Sequence, residues 1–257
     1  MDSTLLSGKK ALVVGIANDS SIAFGCARAL HMAGADIAIT YLNDKAKPFV
    51  DKVAIGLKPS IYCQCDVTQE HDLDNLFVQI EKQWGHIDIV VHSIAFAPKE
   101  DLQKPVYQST KEGFLMAMDI SCHSFIRMAQ LAAPLMKKGG SLFAMSFYGA
   151  EKVVKHYNIM GPVKAALEAS VRYMAVELGP QHIRVIALSP GPLKTRAASG
   201  LEKFDDLIQH AKEKSPLQSL VDIDDVGAMV VFLASKYGKN ITGDTIYIDS
   251  GYHIIGS

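Results

Sequence analysis

Apolar residues fall in short, nearly unbroken runs: KALVVGI, ADIAITY, SIYCQCDV, IDIVVHSIA, GSLFAMS, IRVIALS and DTIYIDS. Between them lie longer stretches in which apolar positions recur every three or four residues, among them SIAFGCARALHMAG, KAKPFVDKVAIGL and HDLDNLFVQIEKQWG. A run without polar alternation is the signature of a strand covered on both faces, and a 3.6-residue period that of a helix packed along one stripe. The alternation predicts seven strands joined by helices, with long helices around GFLMAMDISCHSFIRMAQLAAPLM and HYNIMGPVKAALEASVRYMAVEL. Right-handed crossovers and the usual order of dinucleotide-binding sheets then predict an α/β fold: one doubly wound parallel sheet in the order 3-2-1-4-5-6-7, with a ligand crevice beside the carboxyl ends of strands 1 and 4. Gly34 and Gly85 are placed as helix C-caps, and Asp224 to support the first turn of the helix it begins.

Length and charge narrow the partners. The 257 residues, 49% of them hydrophobic, suit a single domain over 1–257, with no internal repeat or linker. Lys and Arg number 26 against 27 Asp and Glu, so there is no basic footprint for nucleic acid and no polybasic membrane anchor. The longest apolar runs, IDIVVHSIAFAP and VGAMVVFLA, are shorter than a bilayer span requires, and the N-terminus lacks the layout of a secretory signal; a cytoplasmic protein is expected. Cys26, Cys63, Cys65 and Cys122 read as free thiols, and the histidines show no ligand spacing, so no metal site is expected.

Tyr157 and Lys164 lie seven residues apart in a stretch that otherwise reads as one helix. Seven helical residues advance about 10.5 Å and return to within about 20° of the starting azimuth, so the two side chains are expected on one face. A lysine charge favours the ionised phenol, and the pair is expected to lower the tyrosine pKa and to act on a carbonyl or enolate oxygen. A second candidate pair, Tyr148 and Lys152, has shorter spacing but falls in the loop after the fifth strand. The turn after the first strand, Gly15-Ile16-Ala17-Asn18-Asp19-Ser20-Ser21-Ile22, is suited to a pyrophosphate at a helix N-terminus: Gly15 makes the turn and Ser21 offers a hydroxyl.

Four motifs taken in order, GIANDSSIAFG, HSIAFAP, Tyr157-x6-Lys164 within YNIMGPVKAALEA, and SPGPLKTRAASG, resemble the enoyl-[acyl-carrier-protein] reductases, a divergent branch of the short-chain dehydrogenases/reductases with a Rossmann-like fold. The likeness runs from Gly8 to about Gly256. It implies that Gly15, Ser21 and Ile22 hold the pyrophosphate, that Asp66 and Val67 flank the adenine, and that Ile94 packs near the adenosine ribose. Lys164 is implied to bind the nicotinamide ribose, and Leu193, Lys194, Thr195, Arg196 and Ala197 to close over the nicotinamide and pyrophosphate. Ala97, Tyr157 and Met160 are implied to meet the acyl substrate, a trans-2-enoyl thioester on acyl carrier protein. Hydride delivered to its β-carbon creates an enolate, and Tyr157 is expected to stabilise that oxygen. A homotetramer is also implied.

Two departures from the family pattern bear on function. Phe147 stands where a second tyrosine is frequent, which leaves Tyr157 as the main phenol unless Tyr148 turns inward. Leu42, after the second strand, offers no polar group to the adenosine ribose; Lys45 and Lys47 are within conceivable reach of a 2′-phosphate, so NADH is favoured while NADPH stays possible. Leu201, Phe204, Leu207, Ile208 and Ala211 form a helical stripe, and a lid over about 197–214 is expected. The rival functions are a 3-ketoacyl or other carbonyl reductase, which prefers the shorter Tyr/Lys spacing, and a non-catalytic dinucleotide sensor.

Overall fold

The computed structural model describes residues 3–195 and 204–256. The apolar runs form β1 (Lys10–Val14), β2 (Asp36–Tyr41), β3 (Ile61–Gln64), β4 (Ile89–His92), β5 (Gly140–Met145), β6 (Ile183–Pro190) and β7 (Thr245–Ile248). They pair in parallel throughout, in the order β3-β2-β1-β4-β5-β6-β7 expected from the sequence.

The helices are α1 (Ile22–Met32), α2 (Lys47–Leu57), α3 (Asp72–Trp84), α4 (Lys99–Gln103), α5 (Lys111–Met118), α6 (Ser124–Ala132), α7 (Met160–Leu178), α8 (Phe204–Lys214) and α9 (Ile223–Ala234). Alternate residues of each strand enter different cores. Ala11 and Val13 of β1 join α1, α2 and α9 on one face, whereas Leu12 and Val14 join α3, α6 and α7 on the other. This two-sided burial explains the unbroken apolar runs.

Several local expectations are corrected. The long helix after β4 is interrupted: a π-helical segment, Asp119–His123, separates α5 from α6. There the Ser121 hydroxyl bonds both the backbone N–H and the carbonyl of Phe96, and Ser124 donates to the Ile120 carbonyl, side-chain bonds that favour the wider turn. Asp224 does lie in the first turn of α9, as expected, and also pairs with Arg28 of α1; the cap itself is Asp222, in a reciprocal capping box with Asp225. Gly85 does adopt the left-handed conformation that ends α3.

The helix carrying Lys164 is also shorter than its sequence suggests. It begins at Met160, so Tyr157 lies in the preceding turn, between His156 and Asn158, both at positive φ (63° and 43°). Asn158 is tied there by a side-chain bond from Nδ2 to the Leu102 carbonyl, 2.7 Å. Pro162 consequently falls in the first turn of α7, where its missing N–H costs no helical bond.

Candidate active site

One cavity opens at the carboxyl ends of β1, β4, β5 and β6. Its walls include Gly15, Ser21 and Ile22 from the first turn, Ile94 and Ala97 after β4, and Ser146 and Phe147 after β5. Tyr157, Met160 and Lys164 line another side, and Leu193, Thr195 and Phe204 complete it. Residues distant in sequence converge here because a parallel sheet places all its strand-to-helix loops on one edge.

Gly15 has φ +110°, and a Cβ built there would stand 2.1 Å from the Ser93 carbonyl oxygen; only glycine lets β1 and β4 loops meet this closely. The first turn of α1 has neither a side-chain cap nor an acidic residue, so its amide dipoles face the cavity edge without competition. These features fit a dinucleotide phosphate. The Ser21 hydroxyl, however, is turned into its own loop. It accepts from the N–H groups of Ala17 and Asn18 at 3.0 and 2.9 Å and donates to the Asn18 side chain at 3.1 Å. In this conformation the hydroxyl expected to be offered to the phosphate shapes the turn, while Ser21 still lines the cavity.

Lys164, on α7, is only 3% exposed, and its Nζ donates to the Met145 carbonyl at the end of β5, 2.7 Å. Burial draws its pKa down to about 8. Tyr157 is 9% exposed, with its ring 4.9 Å from that of Phe147 and pressed over the Cα of Gly149. Its pKa moves upward, through burial first and the Glu168 carboxylate second, opposite to the direction expected from a neighbouring lysine. At this depth the loss of solvent outweighs the attraction of a lysine charge for the phenolate.

The rival pair is not assembled. Tyr148 occupies a 3-10 turn (Tyr148–Ala150), its ring edge-on to Phe147 and Tyr252; it does not line the cavity, and Lys152 is exposed. Ser146, Phe147 and Glu168 escaped sequence reasoning. Phe147 was visible only as a missing tyrosine, and a glutamate on an otherwise amphipathic helix gives no sign that it is 5% exposed.

Other candidates lie on the same sheet edge but outside this cavity. Leu42 follows β2 and is 50% exposed. Asp66 accepts from the Thr68 N–H and hydroxyl while its own N–H donates to Asp72, which fastens the loop into α3. Val67 is buried and its carbonyl accepts from Arg127, 2.9 Å. Lys194 is exposed and pairs with Asp205 of α8 at 2.8 Å. Arg196, Ala197 and the 197–203 part of the expected lid lie outside the described residues. The cysteines are free, and no cluster of metal-binding side chains occurs among the described residues.

Comparison with known proteins bears on this geometry. The family profile described as enoyl-(acyl carrier protein) reductase matches residues 15–253. The chain is 44% identical over 253 residues to the enoyl-[acyl-carrier-protein] reductase [NADH] FabI of Aquifex aeolicus, covering 98% of this chain and 94% of that protein. It is 42% identical over 250 residues to the Escherichia coli K12 protein of the same name, covering 97% and 95%. Among solved structures, the Anaplasma phagocytophilum reductase in complex with NAD matches with a TM-score of 0.94 at 45% identity, covering 98% of this chain and 97% of that one. The Bacillus cereus reductase with NADP+ and an indole naphthyridinone matches with a TM-score of 0.96 at 41% identity, covering 98% and 99%.

Proposed function

The chain belongs to the enoyl-[acyl-carrier-protein] reductase family, and we propose on that basis that it reduces the trans-2 double bond of an enoyl thioester carried on acyl carrier protein, using NADH. The observation carrying this reading is the convergence of Tyr157 and Lys164, both buried, on a cavity that also contains the tight Gly15 turn and the uncapped start of α1. When bound, the dinucleotide would supply hydride to the β-carbon, and the α-carbon of the resulting enolate takes its proton from solvent or a relay; binding, orientation and stabilisation of the oxygen fall to the chain's own groups.

Backbone amides at Ile22 and the start of α1 hold the pyrophosphate, and Lys164, anchored on the Met145 carbonyl, directs its remaining protons to the ribose of the nicotinamide end. Tyr157 stands beside the thioester oxygen. Its raised pKa keeps the phenol protonated at neutral pH, which suits a hydrogen-bond donor to the growing enolate and disfavours a phenolate base. Met160, Ala97 and Phe147 provide the apolar wall for the acyl chain. Leu42, Asp66 and Val67 serve the adenosine end, since parallel strands about 4.8 Å apart place the ends of β2 and β3 along the same crevice.

The preference for NADH has support in the α2 region. The Lys47 ammonium lies 3.1 Å from both carboxylate oxygens of Asp51 and over the rings of Tyr41 and Tyr62, and the Tyr62 hydroxyl donates to Asp51 at 2.7 Å. A lysine held in this way, with a carboxylate beside it, is a poor receptor for a 2′-phosphate. We further propose that α8 covers the acyl site: Phe204 borders the cavity, and His210 bonds the Tyr252 hydroxyl at 2.8 Å. Protection of Lys212 from proteolysis by NADH and substrate tests that cover. Exposed Leu115 and Met116 on α5 and Tyr173 and Val176 on α7 support assembly into a homotetramer. No helix among the described residues is long and apolar enough to cross a membrane, and the cytoplasmic assignment rests on the family.

The test is NADH oxidation with a short trans-2-enoyl thioester and with a 3-ketoacyl thioester. Turnover of the first is expected. In Tyr157→Phe, kcat should fall by about 10²–10³ with NADH affinity unchanged, the usual effect of removing one oxyanion donor. Turnover of the ketoacyl substrate alone would establish the carbonyl reductase instead.

A further inference from the structure

Glu168 is a buried carboxylate that touches neither of the reacting groups, although its charge helps keep Tyr157 protonated. It lies one helical turn beyond Lys164 on α7 and accepts from the hydroxyl of Ser146. Ser146 directly follows Met145, whose carbonyl accepts from Lys164. Two adjacent residues at the end of β5 are thus fastened to two successive turns of α7. We propose that Glu168 is a positioning residue for Lys164: it clamps the end of β5 against α7 and supplies a buried counter-charge that keeps the ammonium in place for the cofactor. The inference rests on the enoyl reductase reading, in which Lys164 holds the nucleotide.

A carboxylate is a costly way to fill such a site, because burial disfavours its charge and an apolar side chain of like volume is often at least as stable. Its presence beside a site lysine is therefore better explained by what it does to that lysine. The surroundings bear on its charge from every side. Burial and Glu151 move Glu168 upward from the usual carboxylate range, while the Ser146 hydroxyl, Arg172 and a Thr245 hydrogen bond draw it down. Tyr247 of β7 also feels its charge. Lys164 faces neutral, buried His92 from β4, and Cys122 from the π-helical segment together with Glu168 oppose the loss of its proton.

The experiment titrates NADH binding by nucleotide fluorescence from pH 6 to 10, alongside turnover, in the parent, Glu168→Gln and Glu168→Met. Glu168→Gln preserves shape and an acceptor for Ser146 but removes the charge. Its affinity for NADH should match the parent at pH 6 and be lost about one pH unit earlier on the alkaline side, the size of shift expected from removing one nearby opposite charge. Glu168→Met removes clamp and charge, and should weaken NADH binding roughly tenfold, the equivalent of one lost charge-assisted hydrogen bond. Melting temperature verifies folding. If Glu168→Met does not fold, the alkaline limb of Glu168→Gln decides alone. Parental NADH affinity and an unmoved limb in folded variants overturn the role of Glu168 while leaving the reductase intact. A parent that binds NADH but turns over no enoyl thioester overturns the functional reading instead, and NADH binding that ignores Lys164→Met overturns the role of Glu168, which acts only through that lysine.

Discussion

Gly149→Ala offers a sharp test of how tightly the tyrosine is placed. Gly149 sits in the 3-10 turn after β5, directly against the Tyr157 ring; a Cβ there would stand 2.5 Å from Cδ1 and 2.9 Å from Cε1. Ordinary contact begins near 3.4 Å, so the ring must retreat by about 0.9 Å. The contact falls on the base of the ring, which has little freedom to bend away, and Phe147 closes another side at 4.9 Å. A displacement of about 1 Å at a reacting group costs on the order of 10² in rate, and overpacking of this kind costs about 1–3 kcal/mol in stability. We therefore expect Gly149→Ala to lower kcat on a trans-2-enoyl thioester about 10²-fold, to leave NADH affinity near parental, and to lower Tm by several degrees. The control is Gly161→Ala, whose Cβ meets only the Gly149 carbonyl oxygen at 3.2 Å; it should be far milder. Steady-state turnover with thermal melts reads both. A folded Gly149→Ala enzyme with kcat within about threefold of the parent would refute the claim that the phenol needs this position.

Other perturbations read separate parts of the site. Because burial brings Lys164 down to about 8, kcat/KM for NADH should fall above about pH 8 as the ammonium is lost. The stability contribution of the same group runs the other way: its folded pKa lies below the 10.5 of an ordinary lysine, so between those values the unfolded chain holds the extra proton and stability rises with pH. Denaturation of the parent against Lys164→Met across that window checks the sign; full activity at pH 10 would contradict the predicted loss of kcat/KM. Asp51→Asn should release Lys47 and raise the NADPH-to-NADH ratio of kcat/KM; an unchanged ratio would show that Lys47 does not approach the 2′ position. Tyr148→Phe should keep nearly all of kcat, because that ring packs on Phe147 and Tyr252 outside the cavity. A loss near the 10²–10³ of a missing oxyanion donor would restore the second-tyrosine mechanism.

Hydrophobic periodicity was enough to predict seven parallel strands, because period and burial are local properties repeated over many residues; their order needed right-handed crossovers and the usual dinucleotide-fold arrangement as well. The motifs placed Gly15, Ile94, Ala97, Tyr157, Met160 and Lys164 near one another, and the structure gathers all six around one cavity. What remained out of reach depends on contacts between residues far apart in the chain. Tyr157 leaves the helix because Asn158 is bonded to Leu102, 56 residues away, and its flanking residues take positive φ. The direction of its pKa follows from enclosure by Phe147, Gly149 and Glu168, which no i,i+7 spacing encodes. The Ser21 hydroxyl is committed to its own turn, and Lys47 is drawn onto Asp51 and two aromatic rings. Sequence by itself determined which groups are present and which edge of the sheet carries them. Only the tertiary structure decided which are desolvated, which are already bonded, and which remain free to meet a ligand, because electrostatics and packing in a closed site are set by neighbours from the whole chain.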